Sequence, residues 1–363
     1  MGRYSPAPYA APARARRTPA KAPRWARLCV WLGAILTIAS GSVLIGGHLL
    51  LANLSSNVGT GNLLGGARKS NAGRVSLDGP INMLLLGTDR RKTWSSWQSD
   101  TIIMVHVPRS HDRAYLIAFE RDTLVDIPAF NKAGFNGGQD KLNAAFSYGG
   151  RNPNGGDFSV AQGFELMALT IQKFSGLTFD TGAVIDFDGF LKTVNVLGGV
   201  NMCVETPNGA DSFQSIHRPY RTFKKGCQKL SPRKALDYSR QRKQFPDGNF
   251  ARMRHQQQLI KAIMKRAVEN GFANPTRIPS LVKAAGESLL LDQSIPVSDL
   301  GWALRNIKPD SLTALRVPVS SYMMNEISYQ KLVPDTSAAL FKAIKNETLD
   351  AWTLQHPDFV NPM

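Results

Sequence analysis

Carboxylates and an arginine recur where apolar runs of the sequence begin or end. Asp89 follows the run in LLLGTDRR, Asp100 opens the next one in SDTIIMV, and Arg121 follows the third in IAFERDT. If these runs are neighbouring strands, two carboxylates lie beside one arginine, which suits a hard cation such as Mg²⁺ held together with phosphate oxygens and water. A structural interpretation stays open, in which each carboxylate caps a turn or strand and Arg121 pairs with one of them.

The second half of the chain adds cations at a spacing that favours an anion site. Arg240 and Arg242 share one face of an extended segment, Arg252 follows further along, and Gln256 lies one helical turn beyond Arg252. Three arginines without a matching group of acids require an anion, and planar guanidinium groups suit bidentate contacts to phosphate. The alternative is a solvated basic face.

Several common enzyme classes are excluded by their missing signatures. The sequence has no GxSxG, no HExxH and no GxxxxGK[ST]. Ser-x-x-Lys occurs three times without a Lys-Thr-Gly partner, which argues against a penicillin-binding enzyme. The six histidines are scattered and no CxxC or HxxxH occurs, so no zinc site is predicted.

Charge and hydropathy predict a membrane anchor at the N-terminus. The chain of 363 residues has a formal net charge of +17, and residues 1–27 hold many of the cations and no acid. This basic segment, rich in Ala and Pro, is expected to be a disordered cytoplasmic tail. Residues 28–50 are expected to form one transmembrane helix, since about 20 uncharged residues span a bilayer core. The cations before this helix place the rest of the chain outside the cell membrane.

Two other interpretations of this N-terminal region are less favoured. A cleaved signal peptide is disfavoured because no A-x-A type site follows the apolar stretch. Binding of nucleic acid by the basic tail is not predicted, because membrane topology and anionic lipid already explain its charge. Residues 51–79, rich in Gly, Ser and Asn, are predicted to be an extracytoplasmic linker.

The exported part contains two of the three cysteines, Cys203 and Cys227. An even number of cysteines in an oxidising compartment favours a disulfide that closes the polar segment between them. Two unpaired thiols are the alternative.

Hydrophobic patterning beyond residue 80 mixes strands with helices. Apolar runs predict buried strands at residues 81–86, 101–107, 114–119 and 313–317. Helical periodicity predicts helices at 159–174, 190–197, 232–239, 250–267 and 279–290. We therefore expect an α/β domain with a central sheet covered by helices, and no linker separates residues 275–345 from it.

Six ordered segments carry a family resemblance: NMLLLGTDRR, SDTIIMVHV, IAFERDTLVDIP, KLNAAFSYGG, VNVLGGVNMCVE and ALDYSRQR with FARMRHQQQ. Over roughly residues 80–270 the chain resembles the LytR-CpsA-Psr proteins, ligases of cell-wall glycopolymers in Gram-positive bacteria. The resemblance implies an α/β/α sandwich with a central mixed sheet, here a catalytic domain over residues 80–345 followed by a C-terminal tail, residues 346–363.

The resemblance also implies a ligand and a set of roles. The ligand is a polyprenyl pyrophosphate-linked glycopolymer, with its lipid in an apolar pocket and its pyrophosphate ringed by arginines with Mg²⁺ or Mn²⁺. By position, Asp89 and Asp100 resemble the metal-linked carboxylates. The implied pyrophosphate-binding and catalytic arginines are Arg121, Arg240, Arg242 and Arg252, and the implied supporting polar contacts are Lys141 and Gln256.

The implied reaction is phosphoryl transfer to a hydroxyl of peptidoglycan with release of polyprenyl phosphate. Asp89 and Asp100 both remain candidates for the general base, and teichoic acid, capsule and arabinogalactan remain open as the glycopolymer. Three positions depart from the family pattern, at Gln98, Asn249 and His255. The alternatives from other classes are a membrane-anchored transcriptional regulator and a non-catalytic glycan-binding scaffold.

Overall fold

The computed structural model of the chain describes residues 59–68, 77–88, 97–273 and 289–363. The predicted cytoplasmic tail, the predicted transmembrane helix and Asp89 lie outside these residues. Within the described ranges, no helix is both long enough and apolar enough to cross a membrane.

Sixteen strands occur in the described residues. They are β1 Gly59–Gly61, β2 Ile81–Thr88, β3 Ser99–Val107, β4 Ala114–Ala118, β5 Leu124–Ile127, β6 Gly138–Lys141, β7 Thr181–Asp186, β8 Val200–Val204, β9 Ser212–Gln214, β10 Thr222–Lys224, β11 Gly226–Leu230, β12 Leu289–Asp292, β13 Leu312–Arg316, β14 Val319–Met324, β15 Ile327–Leu332 and β16 Val360–Asn361.

Eight strands form one central mixed sheet in the order β1-β12-β7-β2-β3-β4-β13-β16. Strands β2, β3 and β4 are antiparallel neighbours, whereas β7 and β13 pair in parallel with β2 and β4. Every residue of β4 is buried, as expected for a strand that is covered on both faces. The remaining strands form two-stranded pairs.

Eight α-helices of the described residues accompany the sheet. They are α1 Leu142–Gly149, α2 Val160–Ser175, α3 Phe187–Val196, α4 Pro232–Ser239, α5 Asn249–Ala273, α6 Val297–Leu304, α7 Pro334–Lys345 and α8 Leu349–Gln355. Helix α2 shows why these boundaries form. The side chain of Ser159 accepts a hydrogen bond from Gln162 N at its start, and Gly176 adopts a left-handed conformation after its end.

The helices divide between the two faces of the sheet. Residues of α1, α2, α7 and α8 pack with Leu84, Leu86 and Ile102 in the largest core cluster. On the other face, Met253 of α5 packs against Ile103 and Leu116. Side chains alternate along a strand, so neighbouring residues such as Ile102 and Ile103 belong to different layers. The predicted α/β fold with a central mixed sheet is confirmed.

Most predicted elements occur with shifts of a few residues at their ends. The strands predicted at 81–86, 101–107, 114–119 and 313–317 correspond to β2, β3, β4 and β13. The helices predicted at 159–174, 190–197, 232–239 and 250–267 correspond to α2, α3, α4 and α5.

The linker prediction for residues 51–79 is wrong for residues 59–68. Strand β1 pairs in parallel with β12, and Leu63 and Leu64 are fully buried. The N–H groups of both leucines donate to Asp292 Oδ2, at 2.7 and 2.9 Å. A Gly-rich and Asn-rich segment therefore belongs to the domain, because a buried carboxylate satisfies its backbone donors.

Two predictions near the C-terminus also need correction. Residues 289–290 of the predicted helix 279–290 lie in strand β12, between β1 and β7, and the rest of that prediction lies outside the described residues. Residues 346–363 are not a tail, because they contain α8 and the edge strand β16. Leu349 and Trp352 of α8 are buried in the main core, which holds this segment on the domain.

Candidate functional site

The site is built at the end of the sheet where β3 begins. The register between β2 and β3 pairs Gly87 with Thr101 but Thr88 with Ser99, so Asp100 is the extra residue of a β-bulge. Bulges beside functional sites redirect a side chain out of the regular alternation. Here the Asp100 carboxylate forms an ion pair with Arg121 Nη1, which follows β4. The sequence prediction that Asp100 and Arg121 lie together is confirmed.

Asp122 provides a second carboxylate beside the same arginine. Its Oδ2 lies 3.6 Å from Arg121 Nε, and its Oδ1 lies 3.1 Å from Lys141 Nζ. Burial alone raises the pKa of Asp122, but Arg121, Lys141 and a hydrogen bond from Asn249 outweigh burial and hold this pKa below its usual value. Asp122 therefore stays ionised and positions both cations.

Asn249, at the start of α5, connects three segments of the site. Its amide Nδ2 donates to Glu120 Oε1 and to Asp122 Oδ2, each at 2.7 Å. Its Oδ1 accepts a hydrogen bond from Arg242 Nη1 at 3.3 Å. An acid at this position would repel Glu120 and Asp122, whereas the amide donates to both.

Glu120 is a buried acid inside this network. It is 1% exposed, and burial followed by repulsion from Asp122 raises its pKa to about 7. Glu120 Oε2 accepts a hydrogen bond from the backbone N–H of Asp122 at 2.5 Å. Its carboxyl is thus held on the inner side of the segment that carries Arg121.

Arg252 is the most deeply buried arginine of the site, at 5% exposure. Burial lowers the pKa of its guanidinium to about 10, and repulsion from Arg121 and Arg242 lowers it further than attraction to Asp100 raises it. Among the described residues, its buried Nε has no hydrogen-bond partner. Three arginines therefore converge around a buried donor that an anion would satisfy.

Two cavities adjoin residues of the site. The arginine cluster, which we define as Arg121, Arg242 and Arg252, contributes Arg121 to the lining of the first. The first, of about 410 Å³, is polar, and α1 forms much of its wall. Its lining residues are Gln98, Arg121, Asp122, Asp140, Lys141, Asn143, Ala144, Ser147, Tyr148 and Arg151.

The second cavity, of about 220 Å³, is mainly apolar and lies between the sheet and α5. Leu259, Ile260 and Ile263 of α5 line it, together with residues of β2, β3 and β7. Arg240 and Gln256 are among its polar lining residues. Because α1 and α5 pack on different faces of the sheet, the two cavities lie toward different faces, and the second is lined by α5, the helix that carries Arg252.

The predicted site residues therefore occupy two places. Arg121, Arg242, Arg252 and Lys141 belong to one network with Asp100 or Asp122, whereas Arg240 and Gln256 line the apolar cavity. The described residues contain no group of three or more His, Cys, Asp or Glu side chains that would hold a metal ion alone.

The structure also places the residues that depart from the family pattern. Gln98 lines the polar cavity, and Asn143 Nδ2 lies 3.5 Å from its Oε1. His255 is buried against Tyr238 and Phe245, with Nε2 at 2.7 Å from Glu205 Oε1. Burial lowers the pKa of His255 more than Glu205 raises it. His255 thus packs in the protein interior among Tyr238, Phe245 and Glu205.

Cys203 and Cys227 form a disulfide in the structure, at paired positions of β8 and β11. Sequence reasoning gave no role to Glu120 or Asp122, and it treated Asn249 only as a departure. The signal for the two acids was their placement on either side of Arg121 in ERD.

Comparison with known proteins adds an independent observation. The model of the LytR_cpsA_psr family matches residues 53–346. The chain is 28% identical over 233 residues to a polyisoprenyl-teichoic acid–peptidoglycan teichoic acid transferase, TagU, of Halalkalibacterium halodurans, covering 64% of this chain and 66% of the relative. It is 27% identical over 284 residues to the regulatory protein MsrR of Staphylococcus aureus, covering 77% of this chain and 75% of MsrR.

The fold also occurs among solved structures. The crystal structure of B. subtilis TagV superposes with a TM-score of 0.59 at 22% sequence identity, over 75% of this chain and 98% of TagV. The alignment with TagU spans slightly less than two thirds of that relative's length.

Proposed function

The chain belongs to the LytR-CpsA-Psr family, and on this basis we propose that it is a phosphotransferase of cell-wall assembly. It moves a glycopolymer from a polyprenyl pyrophosphate carrier to a hydroxyl of peptidoglycan and releases polyprenyl phosphate. The observation that carries this proposal is the convergence of a buried, incompletely bonded arginine with two further arginines, together with an apolar cavity lined by α5, the helix that carries Arg252. A lipid that ends in a pyrophosphate matches both parts of that arrangement.

The apolar cavity is the proposed binding place of the polyprenyl chain. Burial of a hydrocarbon chain stabilises a complex by about 25 cal/mol per Å² of apolar surface, and the aliphatic side chains of α5 offer such a surface. Arg240 and Gln256 are polar groups of this lining. Gln256 lies about one helical turn after Arg252 on α5. They are therefore suited to contact the phosphate nearest the lipid.

The arginine cluster is the proposed binding place of the pyrophosphate. Arg121 and Arg242 are held by Asp100 and Asn249, so their guanidinium groups are oriented before the ligand arrives. Negative charge grows on the bridging oxygen as the bond to polyprenyl phosphate breaks. Fixed cations in a site of low water content stabilise that charge, which is usually the largest catalytic contribution.

We also propose that Asp100 and Asp89 bind Mg²⁺ together with the pyrophosphate. Mg²⁺ commonly uses one or two carboxylates and completes its ligands with phosphate oxygens and water. Asp100 fits this chemistry because its carboxylate is 27% exposed at the bulge. The ion would neutralise phosphate charge, while the arginines of this chain orient the phosphorus for attack.

The proposed location is the outer side of the cell membrane, with residues 28–50 as the anchor. The disulfide between Cys203 and Cys227 supports this location, since disulfides persist in oxidising compartments. The regulator alternative gives no reason for an arginine cluster together with an apolar cavity lined by the helix of Arg252, and it is not favoured.

The test is a reconstituted reaction with the purified full chain in detergent, a polyprenyl pyrophosphate-linked glycan and peptidoglycan. We expect equal amounts of polyprenyl phosphate and peptidoglycan-bound glycan. Arg121→Ala should abolish most of both, whereas the matched variant Arg109→Ala, whose side chain is 71% exposed, should act like the parent. Absence of polyprenyl phosphate release by the parent would refute the proposal.

A further inference from the structure

One half of the polar cavity has a chemistry different from that of the arginine cluster. Asp140, Asn143, Ser147 and Tyr148 line this half and offer a carboxylate, an amide and two hydroxyl groups. Asn143 and Ser147 are 5% and 6% exposed, so their polar groups are largely withdrawn from solvent. The other half of the polar cavity is formed by Arg121, Lys141 and Asp122, and Asp122 already binds both cations.

The outer wall of this half is fixed before any ligand binds. The Tyr148 hydroxyl donates a hydrogen bond to Asp140 Oδ2, and its ring stacks on Phe135 with centroids 4.6 Å apart. The guanidinium carbon of Arg151 lies 4.7 Å from the centre of the same ring. Lys141 N donates to the other oxygen of Asp140 at 2.7 Å. Such a preorganised wall loses little freedom on binding.

This composition favours a neutral ligand with many hydroxyl groups. Asp140 accepts hydrogen bonds, Arg151 beside Tyr148 balances its charge, and Asn143 both donates and accepts. A site built to bond hydroxyl and amide groups discriminates strongly against ligands that lack them. The whole polar cavity, of about 410 Å³, lies within the range of roughly 300–1,000 Å³ found for small-molecule sites. A sugar ring with an acetamido group has the matching chemistry.

The position of the cavity indicates which sugar it receives. In phosphoryl transfer, the attacking and leaving oxygens lie roughly in line on opposite sides of the phosphorus. If the lipid occupies the apolar cavity on the α5 face, the leaving oxygen points toward that face. The attacking hydroxyl then approaches from the α1 face, where the polar cavity lies and where Arg121 belongs to its lining.

We propose that this half of the polar cavity, formed by Asp140, Asn143, Ser147 and Tyr148, binds the acceptor, an N-acetylated amino sugar of the glycan strand. This inference rests on the proposed function. The acceptor oxygen forms a new bond to the sugar-side phosphorus, and the bond from that phosphorus to polyprenyl phosphate breaks. The proton of the acceptor hydroxyl ends on the released polyprenyl phosphate, so atoms and charge balance.

The experiment measures KM for a soluble peptidoglycan fragment and KM for the polyprenyl donor separately, with the full chain. Asp140→Asn keeps the shape of the wall but removes its charge, and Tyr148→Phe removes one hydroxyl. Each should raise the KM of the acceptor about tenfold, as expected for loss of a hydrogen bond to a charged group, and change the KM of the donor less than twofold. Asp126→Asn, an exposed aspartate of the neighbouring strand β5, is the matched control and should change neither.

The outcomes separate this inference from the proposed function. A larger effect of both variants on the KM of the donor would overturn it and assign the cavity to the donor glycan. Unchanged KM values, or a loss of kcat that follows a loss of melting temperature, would also overturn it while leaving the transferase proposal intact. A parent chain that releases no polyprenyl phosphate would refute both.

Discussion

Replacement of Arg252 separates function from stability more sharply than any other change in the site. Arg252 is buried beside two other arginines, and burial lowers the pKa of its guanidinium from the usual value to about 10. A guanidinium that binds its proton less firmly in the folded chain opposes folding at neutral pH. Arg252→Met keeps the aliphatic stem and a similar volume but removes this charge. We therefore expect the ligand-free variant to be more stable than the parent.

The magnitude follows from the shift in pKa. Each pKa unit corresponds to about 1.4 kcal/mol, so a shift of this size corresponds to about 3 kcal/mol of lost stability. Replacement of buried charges by apolar groups of similar volume stabilises other proteins by about 1–4 kcal/mol. The melting temperature of Arg252→Met should consequently rise by several degrees without ligand.

The assay pairs two measurements on the same preparation of full chain. Thermal unfolding is recorded with and without inorganic pyrophosphate, and donor turnover is recorded in detergent. Pyrophosphate should stabilise the parent and raise its melting temperature more than that of the variant, because bound anion satisfies the buried cation. Turnover of Arg252→Met should fall on the order of 100-fold or more, as for loss of one charged donor at a transition state.

The opposite pattern would refute the reasoning. If Arg252→Met unfolds at a lower temperature and loses activity in proportion, Arg252 stabilises the fold and does not serve to bind a ligand. Equal stabilisation of parent and variant by pyrophosphate would show that the anion binds elsewhere.

Three further changes test separate parts of the site. Arg121→Lys should recover only part of the turnover lost in Arg121→Ala, because an ammonium group cannot reproduce the planar fork; full recovery, measured as kcat/KM, would contradict bidentate binding. Glu120 has a folded-state pKa of about 7 against about 4.5 in the unfolded chain, so its stabilisation is present below pH 4.5 and about 3 kcal/mol is lost as pH rises through 7. Glu120→Gln should therefore gain stability relative to the parent between pH 4.5 and 8 in chemical denaturation, and a constant difference would contradict the burial argument. Cys203 and Cys227 should resist alkylation until reduced, and replacing both by Ser should cost about 2–4 kcal/mol, whereas rapid labelling of the native chain would disprove the bridge.

The sequence predicted those features that depend on neighbouring residues in the chain. Strand β4 is an uninterrupted apolar run, and α4 begins at a proline, so both are visible in local composition. The proximity of Asp100 and Arg121 also followed, because both occur at strand ends. The bulge at Asp100 did not follow, since an extra residue is defined only by the pairing with β2.

Features that depend on distant partners were missed or misjudged. Asn249 gains its role from Glu120 and Asp122, which are far from it in the sequence. The segment with Leu63 and Leu64 has the composition of a linker, but Asp292, 229 residues from Leu63, binds its backbone. Local composition does not contain such contacts, so the prediction of a linker failed there.

The most direct test of the central claim follows oxygen atoms through the reaction of the purified full chain. The reaction is run in water enriched in ¹⁸O, and the phosphates of all products are analysed by mass spectrometry. Direct attack by a peptidoglycan hydroxyl on the sugar-side phosphorus predicts unlabelled phosphate in the attached glycopolymer and one unlabelled polyprenyl phosphate for each attachment. Label in the phosphate of the glycopolymer, or in the polyprenyl phosphate, would contradict the account, because water rather than peptidoglycan would then be the nucleophile.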